Sequence, residues 1–138
     1  MTGSEPVPAK PFTRAPRTDR PRKDVSQENF LDSIDAIDAF LTHATSGGRD
    51  AFQRNSPAYA SGSMAIIRAA ALFETDEFAD FLATTPNEVF TALKTMRNIA
   101  SHSGYRAMND EFFWVTLTTE LPPHVNRWRR TAQASASS

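Results

Sequence analysis

FLDSIDAIDAFLTHA, residues 30–44, is the clearest indication of fold class in this chain. Its apolar positions recur at steps of four and three residues, which is the period of one face of an α-helix. These positions are Phe30, Ile34, Ile37, Leu41 and Ala44. The predicted helix starts near Asp24 or Ser26 and stops at Gly47-Gly48, and its acidic opposite face is typical of a solvated surface.

The same period continues along the chain. Ser56-Pro57 joins an N-cap residue to a proline at the first helical position, which predicts a second helix ending at about Glu74. Small side chains at residues 60–63 leave room for another helix to approach closely. A shorter helix is predicted after Thr75-Asp76, and it contains Phe78, Phe81 and Leu82.

The strongest helix start is Thr85-Pro86-Asn87-Glu88, where threonine caps, proline occupies the first turn and glutamate completes a capping box. This helix is predicted to reach His102 and to bury one stripe. The stripe consists of Val89, Leu93, Met96 and Ala100. The last elements are predicted from Asn109-Asp110 to Leu121 and, after a break at Pro122-Pro123, through Trp128. No run alternates like a strand, so the prediction is an all-α, up-and-down helical bundle.

The composition of the 138 residues predicts one domain between two arms. Five of the nine prolines fall within the first 21 residues, among several arginines. We therefore predict a disordered Pro/Arg-rich arm at 1–27, a helical domain at 28–130 and a flexible tail at 131–138. The arm carries a net charge of +3 and the remainder −4, which argues against a protein that coats nucleic acid.

Residue types limit the chemistry that can be expected. The chain has no cysteine and only three scattered histidines, so we expect no disulfide, no metal site and no cofactor. The longest apolar run, residues 64–73, is interrupted by Arg68 and is too short to span a bilayer. The N-terminus lacks the apolar segment of a secretory signal. A cytoplasmic location is the expectation.

Arg97, Asn98 and His102 form the candidate catalytic group. Histidine can take or give a proton near neutral pH, arginine can stabilise charge on a phosphate, and an amide can orient it. On an ideal helix Asn98 shares a face with His102, whereas Arg97 lies roughly 140° away. A single histidine cannot serve as both acid and base in one step, so two copies of the motif across a dimer could divide the work.

The stretch MRNIASH, residues 96–102, resembles the signature of HEPN-domain proteins, specifically the HepT-like ribonuclease toxins. The resemblance extends to Gly104-Tyr105, Asn109-Asp110, Phe113-Trp114 and Leu121-Pro122, and to the segments 30–37 and 86–89. It covers roughly residues 28–130. The second helix differs, because it reads IIRAA at 66–70 where such proteins often carry an acidic residue after an Ile-Gly pair.

The resemblance implies a HEPN-like homodimer in which two motifs face each other across a cleft and cut RNA without a metal. Arg97 and His102 would be catalytic and Asn98 supportive. It also implies a toxin whose antitoxin, a minimal nucleotidyltransferase, adds AMP to a tyrosine after the histidine. Tyr105 is the candidate for that AMPylation, although it stands three positions after His102 rather than the usual two.

Two alternatives without catalysis remain open. One is a HEPN-like binding module that engages a nucleotidyltransferase but has no useful active site. The other is a purely structural dimerisation bundle, which an intrasubunit ion pair at a buried Arg97 would favour. Trp128 and the arginines at 127, 129 and 130 are either a small nucleic-acid-facing patch or a packed tryptophan beside solvated arginines.

Overall fold

The computed structural model describes residues 22–102 and 106–136, and these residues form an all-α bundle that contains no strand. The helices are α1 (Arg22–Thr45), α2 (Pro57–Ala71), α3 (Ala79–Leu82), α4 (Asn87–His102), α5 (Asp110–Val115) and α6 (Leu121–Ala136). A π-helical segment, Thr116–Glu120, joins α5 to α6, and short 3-10 turns lie at Arg49–Ala51, Leu72–Glu74 and Asp76–Phe78. The predicted fold class is confirmed.

α1 buries all five residues of its predicted apolar stripe, but it begins earlier than expected. Its first residue is Arg22, so the predicted arm boundary at residue 27 is wrong for residues 22–27. The side-chain amide of Gln27 donates a 2.8 Å hydrogen bond to the backbone oxygen of Ala132 on α6. This contact joins residues 105 positions apart, and a local sequence pattern contains no sign of it.

α6 corrects two further predictions. It continues to Ala136 and buries Ala132 completely, so residues 131–136 are not a flexible tail. The predicted break at Pro122-Pro123 is also wrong, because these prolines are the second and third residues of α6. They follow the π-helical segment, where Leu121 donates its N–H to the oxygen of Thr116. The regular i→i−4 ladder is already interrupted there, so the missing proline N–H groups cost less.

Gly62 of α2 receives side chains from the stretch at 110–136 and from Phe52. Ser56 caps the helix by accepting a 3.1 Å hydrogen bond from the N–H of Tyr59. A Cβ built on Gly62 would lie 2.6 Å from Cδ1 of Leu117 and 3.1 Å from Cε1 of Phe52. Glycine at position 62 therefore leaves room for these side chains to pack against α2.

α6 is held on its other sides by polar contacts with α1 and with the start of α4. Arg129 donates to the carboxylates of Asp35, at 2.6 Å, and of Asp38. Trp128 is 1% exposed, and its indole N–H donates a 2.7 Å hydrogen bond to the hydroxyl of Thr85. The bond to Thr85 ties the residues just before α4, which begins two residues later, to α6.

Candidate functional site

His102 is the last residue of α4, and its side chain is exposed. Within the described part of the chain it takes part in no hydrogen bond or ion pair. A cationic side chain is favoured at this position by the partial negative charge of a helix C-terminus. Because the His102 side chain is exposed, its imidazole is accessible to a ligand.

Arg97 has partners within its own chain. One guanidinium nitrogen donates to the carboxylate of Glu74, at the end of the 3-10 turn that follows α2, and the other lies 3.4 Å from the amide oxygen of Asn98. The Arg97 side chain is 22% exposed. The pair is therefore shielded on one side but remains open to solvent, and an anionic ligand would have to displace Glu74 in order to take both guanidinium nitrogens.

The predicted catalytic group is brought together only in part. Arg97 and Asn98 are in contact, whereas no hydrogen bond links either of them to His102 in the described residues. Helix geometry accounts for this separation, since Arg97 projects roughly 140° away from His102 towards α2. Asn98 is exposed and lies one turn before His102 on nearly the same side. A single chain thus presents His102 with Asn98, and Arg97 on the other flank of α4.

Tyr105, the candidate for AMPylation, lies outside the described residues. The chain that follows it is anchored by a cluster that sequence reasoning missed. Arg54 donates to the backbone oxygen of Met108 at 2.8 Å and to Oδ1 of Asp110 at 2.7 Å. The buried phenol of Tyr59 donates to the same carboxylate oxygen at 2.7 Å.

The charges of this cluster follow from its hydrogen bonds. Burial alone would raise the pKa of Asp110, but the hydrogen bonds from Arg54 and Tyr59 outweigh it and lower that pKa below its usual value. Burial and the bond to the carboxylate raise the pKa of the Tyr59 phenol. Asp110 is therefore ionised and Tyr59 protonated at neutral pH, which suits a structural anchor for the start of α5.

An apolar groove runs beside α4. It has a volume of about 270 Å³ and lies between α4 and the stretch at 112–124. Its lining includes Val89, Leu93, Met96, Phe112, Val115 and Leu121. Phe112 is 55% exposed and Val115 is 42% exposed. The run FFWV at 112–115 contains a signal for this exposure, because four consecutive apolar residues cover a whole helical turn and cannot all face one core.

One end of the groove contains two glutamates and an uncharged histidine. Glu88 and Glu120 lie there with His124, whose Nδ1 contacts the guanidinium of Arg127 at 2.8 Å. Burial and the charge of Arg127 lower the pKa of His124, against a smaller opposing effect of Glu120. His124 is thus a neutral acceptor for Arg127.

His43 and the cluster around Trp128, two other candidates for a functional role, make structural contacts instead. His43, at the end of α1, contacts the hydroxyl of Ser61 at 2.8 Å and so links α1 to α2. Trp128 is buried, so it offers no ring face for base stacking, and Arg129 is occupied by Asp35 and Asp38. The terminal cluster is therefore a packed tryptophan with a paired arginine.

Three comparisons with known proteins were negative. No family model, no curated protein and no solved structure matches this chain. Among residues 22–102 and 106–136, no three histidine, aspartate or glutamate side chains are grouped so as to hold a metal ion. None of the helices formed by these residues is both long and apolar enough to cross a membrane.

Proposed function

We propose that this chain is the toxin component of a toxin-antitoxin pair and acts as a metal-independent endoribonuclease, with an active site completed at the cleft of a homodimer. The observation that carries the proposal is the state of His102, which is exposed, ends α4 and has no partner within the described residues. The resemblance of residues 96–102 to the HepT-like signature supports the same reaction class.

The reaction assigns separate tasks to the three side chains. His102 transfers a proton to or from an oxygen of the scissile phosphodiester, which is the task for which imidazole is best suited near neutral pH. Asn98, one turn earlier, is placed to orient a phosphate oxygen. Arg97 contributes once RNA displaces Glu74 from its guanidinium. Bidentate binding of arginine to phosphate makes that exchange favourable.

Neutralisation is assigned to a nucleotidyltransferase antitoxin that adds AMP to Tyr105. The adduct brings negative charge close to a site that must accept a phosphate, so it opposes RNA binding by repulsion as well as by bulk. Mass spectrometry of the protein co-expressed with such a partner should show AMP mass on Tyr105 and none on a Tyr105→Phe variant. Unmodified Tyr105 in the presence of an active partner contradicts this part of the proposal.

The direct test is cleavage of RNA by the purified protein in the presence of a chelator. His102→Ala should reduce the rate about 10²-fold or more, because general acid-base catalysis contributes 10²–10⁴-fold. Arg97→Ala and Asn98→Ala should also reduce it. His43→Ala, which removes the contact with Ser61 and none of the proposed catalytic groups, is the control and should retain cleavage. Circular dichroism verifies that each variant is folded.

Intact RNA after incubation with the folded wild-type dimer would contradict the endoribonuclease proposal. A second candidate then applies, namely a binding module or dimerisation bundle that engages a nucleotidyltransferase without cleaving RNA. The ion pair between Arg97 and Glu74 favours it, because that pair occupies the arginine within one subunit. Expression without growth arrest, together with a stable complex with the nucleotidyltransferase, distinguishes the binding module.

A further inference from the structure

Glu88, Thr95 and His102 stand at intervals of seven residues along α4, and all three are exposed. Seven residues correspond to two helical turns with a drift of only about 20°, so the three positions lie on nearly one line. Thr91 and Ala92, also exposed, lie close to this line. Small side chains in the middle of a helix face let a second helix approach it closely.

The apolar groove borders the same line. Val89 and Met96 on α4 belong to its floor, and Phe112 and Val115 form an exposed apolar edge on α5. The surface thus contains a hollow and a projecting aromatic ring side by side. A face that contains both features can pair with its own copy about a two-fold axis, each ring filling the hollow of the other copy.

Charge along this face is distributed unequally. Glu88 and Glu120 lie at one end, and neither forms an ion pair within the described residues. His102, the last residue of α4, lies at the other end. Fourteen residues of helix separate Glu88 from His102, a distance of about 21 Å. Antiparallel pairing of two copies therefore brings the glutamates of one copy beside the basic imidazole of the other, whereas parallel pairing brings the glutamates of both copies together.

We propose that two copies of this chain pack α4 against α4 in antiparallel orientation, with the axis near Thr95, so that the partner subunit's Glu88 lies beside His102. Positions 88 and 102 are each seven residues from 95, so a two-fold axis at 95 places each Glu88 beside the His102 of the other copy. The dimer contains two equivalent sites, each with a histidine from one subunit and a carboxylate from the other. This differs from an arrangement in which two histidines face each other.

The chemistry of this inference rests on the proposed function, whereas the packing does not. The partner subunit's Glu88 carboxylate takes the proton of an RNA 2′-hydroxyl, whose oxygen then attacks the phosphorus. The bond from phosphorus to the 5′-oxygen breaks, and protonated His102 gives its proton to that oxygen. The products are a 2′,3′-cyclic phosphate and a 5′-hydroxyl. The carboxylate thus supplies the second acid-base group that one histidine lacks.

Introduced cysteines test the packing without any need for cleavage, since the chain has no cysteine of its own. Thr95→Cys should form a disulfide-linked dimer on mild oxidation, because a residue on the axis meets its own copy within the 4.4–6.8 Å between Cα atoms that a disulfide spans. Thr42→Cys, exposed on α1, is the matched control and should remain monomeric on denaturing gels. Equal cross-linking of the two variants, or none at Thr95→Cys, overturns the packing.

Mixing of two inactive variants tests the site. Glu88→Gln and His102→Ala homodimers should each lose about 10²-fold in kcat, and Glu77→Gln should lose nothing. Exchange of subunits between the first two should restore about one quarter of the wild-type rate, because half of the dimers are then mixed and each has one intact site of two.

Absence of restored activity in mixed dimers, verified by tagged co-purification, overturns the assignment of Glu88 and favours two histidines in one cleft. Mixtures of His102→Ala with His102→Gln are the control and should stay inactive. If wild-type protein cleaves no RNA, the proposed function fails while the cross-link at position 95 can still form. The two failures are therefore distinguishable.

Discussion

The contacts that α6 makes with α1 and with Thr85 differ from the outer face of α4 in how many of their side chains find a partner within one chain. On the first, Trp128 is buried with its N–H bonded, and Arg129 is paired with two aspartates. On the second, Phe112 is more than half exposed and His102 has no partner within the described residues. The first region is complete in a monomer. Residues of the second region can therefore be substituted, or can contact another molecule, with little effect on folding.

Substitution of Trp128 should have the largest effect on folding. Trp128→Ala removes a fully buried indole and leaves a cavity, so the free energy of unfolding should fall by about 3–5 kcal/mol. Trp128→Phe should cost less, since it keeps an aromatic ring and loses mainly the hydrogen bond to Thr85, worth about 1 kcal/mol. Urea denaturation measures both. A loss below 1 kcal/mol in the alanine variant would show that this side of the bundle does not depend on the indole.

Asp110 provides a pH-dependent test of the anchor at the start of α5. Because the pKa of Asp110 is lower in the folded protein than in the unfolded chain, its contribution to stability is fully present above the ordinary aspartate value of about 4. It is lost as the pH falls through the folded value. Between pH 5 and 3, wild-type protein should thus lose more free energy of unfolding than Asp110→Asn. The difference in slope against pH should correspond to at most about one proton taken up on unfolding.

Thermal melts at several pH values measure that difference. Asp80→Asn, at an exposed position on α3, is the control for the loss of an aspartate elsewhere on the surface. Parallel slopes for wild-type protein and Asp110→Asn would show that the hydrogen bonds from Arg54 and Tyr59 do not stabilise the charged form.

Phe112→Asp should have the smallest effect on the fold and a complete effect on assembly. An exposed substitution changes the free energy of unfolding of a monomer by about 0.5 kcal/mol or less. The same change puts a charge into the proposed contact between two copies. Analytical ultracentrifugation should then find monomers for Phe112→Asp and dimers for Met64→Asp, an exposed apolar position on α2. Dimers of both variants would remove the groove from the contact.

Local patterns in the sequence predict the fold well where one element decides the outcome. The stripe from Phe30 to Ala44 and the cap at Ser56 need only helical period and N-cap chemistry, and both are confirmed. The break at Pro122-Pro123 is wrong because the rule for proline assumes a regular helix before it, and a π-helical segment stands there instead. The prediction of a flexible tail from residue 131 is wrong because Ala132 is buried in the core and bonded to Gln27, which is far away in the sequence.

The candidate site shows the same division. The position of His102 at the exposed end of a helix follows from the sequence, and the angle between Arg97 and His102 follows from helix geometry alone. The partner of Arg97 does not, since Glu74 is 23 residues away and is brought near by the packing of α2 on α4. The Arg54, Tyr59 and Asp110 cluster spans more than 50 residues and is equally invisible to local rules.

The π-helical segment at Thr116–Glu120 sets the rotational phase between α5 and α6. Each residue of an α-helix advances the chain by about 100°, so deletion of one residue within this segment would turn every side chain of α6 by that angle. Phe112 would still point outwards, while Trp128 would swing away from Thr85. The stretch from 110 to 136 should therefore accept many substitutions but very few changes of length.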